Sequence, residues 1–338
     1  MYKVFFKNKI VNLKKVFRYI FIYGIRKTYY KIITRYYLAK KYNLNHKTWN
    51  NKKSNSLNAD IAIIGCGTHS FSIIAPYLKK KNKNFLRACF DIDQNKSISM
   101  AKAFSGLYAP IHFNEILLDK SIKIIIIASN HNSHADYAIQ SLKHNKDIFI
   151  EKPHVTSFEQ LNKLTSIIRK SNRRVFIGFN RPYSKAGKLI KEYLNKQVGS
   201  LMINWSIQGH KLNDNHWYYN PGEGGRAVGN LSHWSDMIYY LVDKNNINSC
   251  EIIPASHKNS KSDFIVSILF SDKSSSVISF SAKGSNLDGV SESLSIQRGN
   301  LICYMENFNK IIFKVNSSKI KINFHTRDLG HENNLNRI

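Results

Sequence analysis

The chain has 338 residues, enough for two ordinary domains and an appendage, and its 43% hydrophobic and 12% aromatic content can build sizeable cores. A formal net charge of +29 fits either an acidic partner (nucleic acid, an anionic membrane surface, a phosphate-bearing substrate) or a chain inflated in Lys, Asn and Ile by biased base composition. Nucleic acid is set aside because no RNP, zinc-finger or helix-turn-helix pattern is present. Cys66, Cys89, Cys250 and Cys303 are too far apart for a CxxC metal site or a disulfide frame, and read as reduced thiols of a cytoplasmic protein with no metal.

Residues 1–59 contain fifteen Lys or Arg and no Asp or Glu, about half of the net charge. Phe17, Ile20, Phe21, Ile32, Ile33 and Tyr36 recur at helical spacing between Val11 and Tyr42, with Gly24 placed to break the run in two. Its longest uncharged apolar stretch, Tyr19 to Ile25, is too short to span a bilayer, and no secretory signal pattern is found. The aromatic residues lie all round the helix. That favours packing against the protein or a second subunit over lying on an anionic membrane surface, with peripheral attachment at the inner membrane face as the alternative. Asn50 to Asn58 reads as a linker, so residues 1–57 form a basic helical extension.

From Ala59 the character changes. Ile61–Ile64 is a short apolar strand, followed by Gly65-Cys66-Gly67-Thr68-His69-Ser70 and a helical pattern to Lys80. In such a strand–turn–helix unit Gly65 allows the tight turn, and Gly67 lets the backbone approach a pyrophosphate at the helix N-terminus. The next strand, Leu86–Phe90, ends in Asp91. A carboxylate at that spacing accepts from an adenosine 2′-hydroxyl and repels a 2′-phosphate, which favours NAD over NADP. Helices over 94–106, 133–143 and 158–171 alternate with strands over 122–128, 147–150 and 174–179. This alternation predicts a doubly wound parallel sheet. The fourth strand runs into Glu151-Lys152-Pro153, which places Lys152 at a C-terminal strand tip, on the ligand side of such a sheet.

Gly65-x-Gly67, Asp91, Ala128-Ser129-Asn130-His131-x-x-His134-Ala135, Glu151-Lys152-Pro153 and Gly178-Phe179-Asn180-Arg181, in this order, resemble the Gfo/Idh/MocA oxidoreductases. The resemblance implies an N-terminal NAD-binding Rossmann domain (58–178) and a C-terminal α/β domain (179–338) with a large, mostly antiparallel open sheet through which the protein forms a homo-oligomer. It implies cofactor contacts from Gly65, Gly67, Thr68, His69, Asp91, Ser129, Asn130, His134, Glu151 and Lys152, with Lys152 beside the nicotinamide and the substrate hydroxyl.

The second domain reads independently as strands over 202–207, 264–270, 275–281, 293–297, 301–305 and 311–315, with a turn at Asp272-Lys273. The loop His216 to Arg226 leads into a helix over 230–242 bearing His233 and Asp236 on one face. Gly224-Gly225, His233 and Asp236 match the family's spacing; Gly229 stands where a carboxylate is frequent, and Asn230 follows it. The chain ends at Ile338, where members continue, so the C-terminus reads as short. Catalysis is expected from Lys152, His233 and Asn230, with either His233 or Lys152 as the base. Arg181, Trp217, Arg226 and Asp236 are the candidate substrate residues. The expected function is NAD-dependent oxidation or reduction at a sugar or nucleotide-sugar hydroxyl carbon, in surface-polysaccharide or sugar metabolism. The alternatives are NAD-assisted glycoside cleavage and a non-catalytic dinucleotide sensor.

Overall fold

The β-branched run at Ile124–Ile127 forms a strand whose four side chains are all buried, each worth about 1.5–3 kcal/mol when removed from water. In the computed structural model, which describes residues 2–44, 47–51, 58–257, 260, 262–284 and 289–338, it is an inner strand of a seven-stranded sheet, next to the central one. The strands are β1 (Trp49–Asn50), β2 (Ile61–Ile64), β3 (Leu86–Phe90), β4 (Tyr108–Ala109), β5 (Ile124–Ile127), β6 (Asp147–Ile150) and β7 (Val175–Ile177). Their order is β1-β4-β3-β2-β5-β6-β7. All pairs are parallel except β1 with β4. The chain moves outward from β2 through β3 and β4, then returns to β5 on the other side. The crevice at this reversal lies outside the ends of β2 and β5, where Gly65 and Ser129 follow. Apolar clusters cover both faces of the sheet, one around Phe71, Phe104 and Phe149 and the other around Phe90, Ile116 and Leu142.

This sheet anchors one compact unit, Ile25–Gly178 with Pro221–Gly224 and His331–Ile338. Helix Ile25–Leu38 belongs to it. Tyr30, Tyr37 and Leu38 of that helix pack on the core, and the Ser99 hydroxyl donates to the Tyr37 carbonyl. The other compact unit comprises Met1–Gly24, Phe179–Asn220 and Gly225–Gly330. The extension read over residues 1–57 is thus divided at Gly24, whose φ of +85° ends helix Tyr2–Tyr23. Residues 52–57 of the expected linker lie outside the described residues.

The second unit is built on eight strands: β8 (Met202–Gln208), β9 (Cys250–Pro254), β10 (Phe264–Phe270), β11 (Ser275–Ser281), β12 (Ser291–Arg298), β13 (Leu301–Glu306), β14 (Lys310–Val315) and β15 (Ser318–Asn323). Their order is β15-β14-β13-β12-β8-β11-β10-β9, and only β8 with β11 is parallel. This is the large, mostly antiparallel sheet the resemblance implied. The β10–β11 turn falls at Asp272-Lys273 as expected, with Lys273 at φ +69°. Helices Lys185–Asn195 and Ser232–Leu241 cover one face, burying Ile190, Leu194, Trp234 and Ile238 against Trp205, Ile278 and Phe313.

Candidate functional site

At the end of β2, Gly65 has φ +85°, and a Cβ there would lie 2.4 Å from the Ala128 carbonyl oxygen. Only glycine allows the chain to pass so close to the end of β5. A Cβ on Gly67, by contrast, would have no atom within 4 Å. The open side of this turn lies at the start of a helix, where the first N–H groups have no intrahelical partner and suit an anion. That helix runs through a π-helical stretch, Ser70–Ile74, into Ala75–Lys81.

Asp91 does two things at the tip of β3. Its Oδ2 accepts from the Cys66 N–H at 2.8 Å, and its Oδ1 accepts from the Asp93 N–H at 2.9 Å. The carboxylate therefore fixes the glycine turn, and each oxygen keeps a second lone pair for a ribose hydroxyl.

At the tip of β6, Glu151 is buried, and its Oε1 lies 3.2 Å from His69 Nε2. Burial pushes this carboxyl up, but the neighbouring His69, the charge of Lys152 and the Lys152 N–H outweigh it and hold the group below its ordinary value. Gly178 makes the room, since a Cβ there would come within 2.8 Å of the Glu151 carboxyl. Lys152 is half-buried and precedes Pro153 through a cis peptide. In this unit Lys152, Glu151, His69 and the glycine turn share the C-terminal end of the sheet.

Other expected cofactor residues are held differently. His134 is buried, with Nδ1 2.7 Å from the Pro153 carbonyl oxygen and Nε2 3.1 Å from that of Ser129. Burial lowers its pKa against the pull of those carbonyls. Its ring sits between the ends of β5 and β6 with a carbonyl oxygen facing each nitrogen. Asn130 donates from Nδ2 to Glu223 and accepts from the Ser133 hydroxyl at Oδ1. Ser129 Oγ lies 2.7 Å from Ser133 Oγ, and Thr68 is exposed at the helix start.

Glu223 itself escaped the reading of the sequence. It is buried, accepts from the Asn130 amide and the Asn132 N–H, and offers its carbonyl to His131 Nδ1 at 3.0 Å. The available signal was an acidic residue inside a glycine run of a very basic chain.

In the other unit, a cavity of about 270 Å³ opens beneath the turn Trp217–Tyr219, lined among others by His210, His216, Trp217, Arg226, Asn230 and Phe280. Arg226 is buried; its Nη2 donates to the His210 carbonyl and its guanidinium lies 5.3 Å over the Phe280 ring. Asn230 sits in a π-helical segment, Ala227–Leu231, that precedes the helix carrying His233 and Asp236. The helix thus begins earlier than the pattern predicted.

Arg181 corrects the sequence reading. It is buried away from this cavity, with Nε 2.6 Å from Glu292 Oε1. The fully buried Glu292 also accepts from Trp234 Nε1 at 2.8 Å and from Arg327 Nη2 at 2.7 Å. Arg181 is therefore one arm of a structural ion cluster, with Nε and Nη2 both turned to Glu292.

Residues 59–179 match the oxidoreductase family with an NAD-binding Rossmann fold, Gfo/Idh/MocA. Over these residues the chain is similar to that family. Among curated proteins of similar sequence, glucose-6-phosphate 3-dehydrogenase of Bacillus subtilis is 26% identical over 200 residues, covering 55% of this chain and 55% of that protein. Myo-inositol 2-dehydrogenase of Thermotoga maritima is 26% identical over 132 residues, covering 39% of each. The chain spans about half the length of the curated relatives it matches (47% and 52% for two others). A levoglucosan dehydrogenase solved with NADH and L-sorbose shares the fold, with a TM-score of 0.68 over 81% of this chain and 82% of that one at 15% identity. The glycine turn, Asp91 and the Glu-Lys-Pro tip all fall within the residues matched to that NAD-binding fold. Among the described residues no cluster of His, Cys, Asp or Glu could hold a metal ion.

Proposed function

We propose that the protein is an NAD-dependent oxidoreductase acting on the hydroxyl carbon of a sugar or nucleotide sugar. The observation that carries this reading is the placement of Lys152 at the tip of β6, beside the Glu151–His69 pair and at the same sheet end as the glycine turn. When bound, the nicotinamide supplies the hydride acceptor or donor. Gly65, Gly67, Thr68 and Asp91 hold the dinucleotide, and the negative Asp91 favours NAD over NADP. Oxidation of an alcohol takes a hydride from carbon and a proton from oxygen. Lys152 places a cation against the developing alkoxide, stabilising it. His233 accepts the hydroxyl proton, an imidazole being suited to that task near neutral pH. Asn230 and Trp217 bind sugar hydroxyls and the apolar ring face, and Asp236 assists His233.

The test is a screen of free sugars, sugar phosphates and UDP-, GDP- and dTDP-sugars for NADH formation, repeated with Lys152→Ala. The variant should still bind NADH and lose turnover by a hundredfold or more, in the range of lost transition-state electrostatics (about 10²–10³-fold). Turnover retained by that variant removes Lys152 from the mechanism.

The association expected of this protein has two supports. The open face of the eight-stranded sheet carries Ser206, Ser279, Ser293, Ser295 and the exposed Tyr304, a surface of short side chains suited to a second copy. Phe17 (67% exposed) and Phe21 (85%) on the first helix, and Ile25, Tyr29, Ile32 and Tyr36 on the second, present apolar side chains among basic ones. This favours an anionic bilayer surface. No helix among the described residues is long and apolar enough to cross a membrane. Sedimentation of the full chain, alone and with phosphatidylglycerol or phosphatidylcholine vesicles, tests both. A monomer sinks the first, and equal or no pelleting with the two lipids sinks the second.

A further inference from the structure

Two buried arginines of the sheet unit share a carboxylate, and a third has none. Arg181 and Arg327 both bind Glu292. Arg226 is 4% exposed, and no carboxylate among the described residues pairs with it. Of its three nitrogens, only Nη2 has an acceptor, the His210 carbonyl; Nε and Nη1 are buried without one. A desolvated charge is retained only where an opposite charge or hydrogen bonds compensate it. The Phe280 face beneath the guanidinium supplies part of that compensation. It leaves the donor fork unused.

The surroundings specify which group this fork suits. Gly209 keeps the wall thin: a Cβ there would come within 2.9 Å of the Phe280 ring and 3.3 Å of Arg226 Nη1. Asn230 lines the same cavity with a buried side-chain oxygen that has no donor. Trp217 and His216 stack at 5.8 Å on its rim. Burial, then the neighbouring Arg226 charge, push the His216 pKa down, so the cavity's fixed positive charge stays on the arginine. A planar donor fork, an amide oxygen and an indole suit a sugar bearing an oxyanion.

We propose that the cavity beneath the Trp217 turn is a subsite for an anionic group of the substrate, with Arg226 as its counter-ion and Asn230 as acceptor for an adjacent hydroxyl. The inference rests on the reading of the protein as a sugar oxidoreductase and narrows it to acidic sugars. The oxyanion is a phosphate ester, the diphosphate of a nucleotide sugar, or a sugar carboxylate. Each uses the same fork.

The test is binding, independent of turnover. Full-length protein with NADH is titrated calorimetrically with glucose 6-phosphate, UDP-glucose, glucuronate and neutral glucose, for the wild type, Arg226→Met and Arg226→Lys. At least one anionic probe should bind the wild type at least tenfold more tightly than glucose, and which one identifies the source of the oxyanion. Losing charge-assisted hydrogen bonds should weaken that probe about 10- to 100-fold in Arg226→Met, with partial rescue in Arg226→Lys. If Arg226→Met does not fold, the Arg226→Lys comparison decides alone: lysine keeps the charge but loses the fork, so unchanged affinity removes the fork from the subsite. Equal wild-type affinity for charged and neutral probes, or unchanged anion affinity in Arg226→Met, overturns the proposal. NADH formation from neutral sugars without anion binding defeats the subsite and spares the oxidoreductase reading. Anion binding through Arg226 with no redox turnover of any probe does the reverse.

Discussion

Asp91→Asn is the substitution that separates the two roles of this carboxylate. Asparagine keeps one acceptor oxygen, for the Cys66 N–H that anchors the glycine turn at 2.8 Å, and gives up only the bond from the Asp93 N–H, while the negative charge is removed. Two unit charges 4 Å apart interact by about 1 kcal/mol in water and about 4 kcal/mol at a protein-surface dielectric. Asp91 is half-buried, between these limits, so the NADPH-to-NADH affinity ratio should rise about 10- to 100-fold. Asp91→Ala is a poorer probe. It also forfeits the bonds to Cys66 and Asp93, each worth about 1.5–3 kcal/mol as a bond to a charged group, and should weaken both cofactors together. Fluorescence titration of the reduced nicotinamide gives the four dissociation constants needed for wild type and Asp91→Asn. A ratio within twofold of wild type in Asp91→Asn would show that this carboxylate does not sense the 2′ position.

Two further outcomes concern the supports of the site. Glu292→Ala leaves two buried guanidinium groups without their anion and should cost about 3–5 kcal/mol of unfolding free energy, a large share of the 5–15 kcal/mol typical of a domain; a urea midpoint equivalent to less than about 1 kcal/mol would show that Arg181 and Arg327 find other partners. His69→Ala bears on pH. The Glu151 carboxyl is depressed in the folded protein, so its stabilisation is present above the unfolded carboxylate value of about 4.3 and is lost as pH falls through the folded value. Removing His69 should lower the melting temperature at pH 6–7, with the gap to wild type closing toward pH 3. A gap that is constant with pH would mean the two side chains are not electrostatically coupled.

Where periodicity and punctuation agree, the fold was legible. Ile124–Ile127 is a uniform apolar run and forms a doubly buried strand; Gly24 and Gly65 sit at positive φ where a break and a tight turn were read. What was missed has physical reasons. Strand β9 is exposed at every position on the edge of its sheet and ends in a proline, so it carries no burial alternation. Strand β1 is two residues long and takes its structure from its partner. The π-helical stretches Ser70–Ile74 and Ala227–Leu231 insert one residue per turn, which a 3.6-residue template cannot register. Arg181 and Arg226 look alike as loop arginines. What distinguishes them is Glu292, 111 positions from Arg181, and only folding brings it there.

That distinction bears on the net charge of +29. Charge at the surface is screened beyond about 8 Å at physiological ionic strength, so most of this surplus cannot select a substrate at close range. The cations that folding buries are matched one by one. Arg181 and Arg327 share Glu292, and the half-buried Arg87 pairs with Asp119 at 2.6 Å. Lys146 donates to the carbonyls of Asp119 and Ile122. Arg226 has no carboxylate, two of its three nitrogens lack an acceptor, and it lines a cavity with an indole on its rim. Biased composition accounts for a basic exterior in any fold. It does not account for a desolvated guanidinium with two donors lacking an acceptor, because the His210 carbonyl and the Phe280 face offset only part of the cost of burying that group, and the proposed anion would offset the rest.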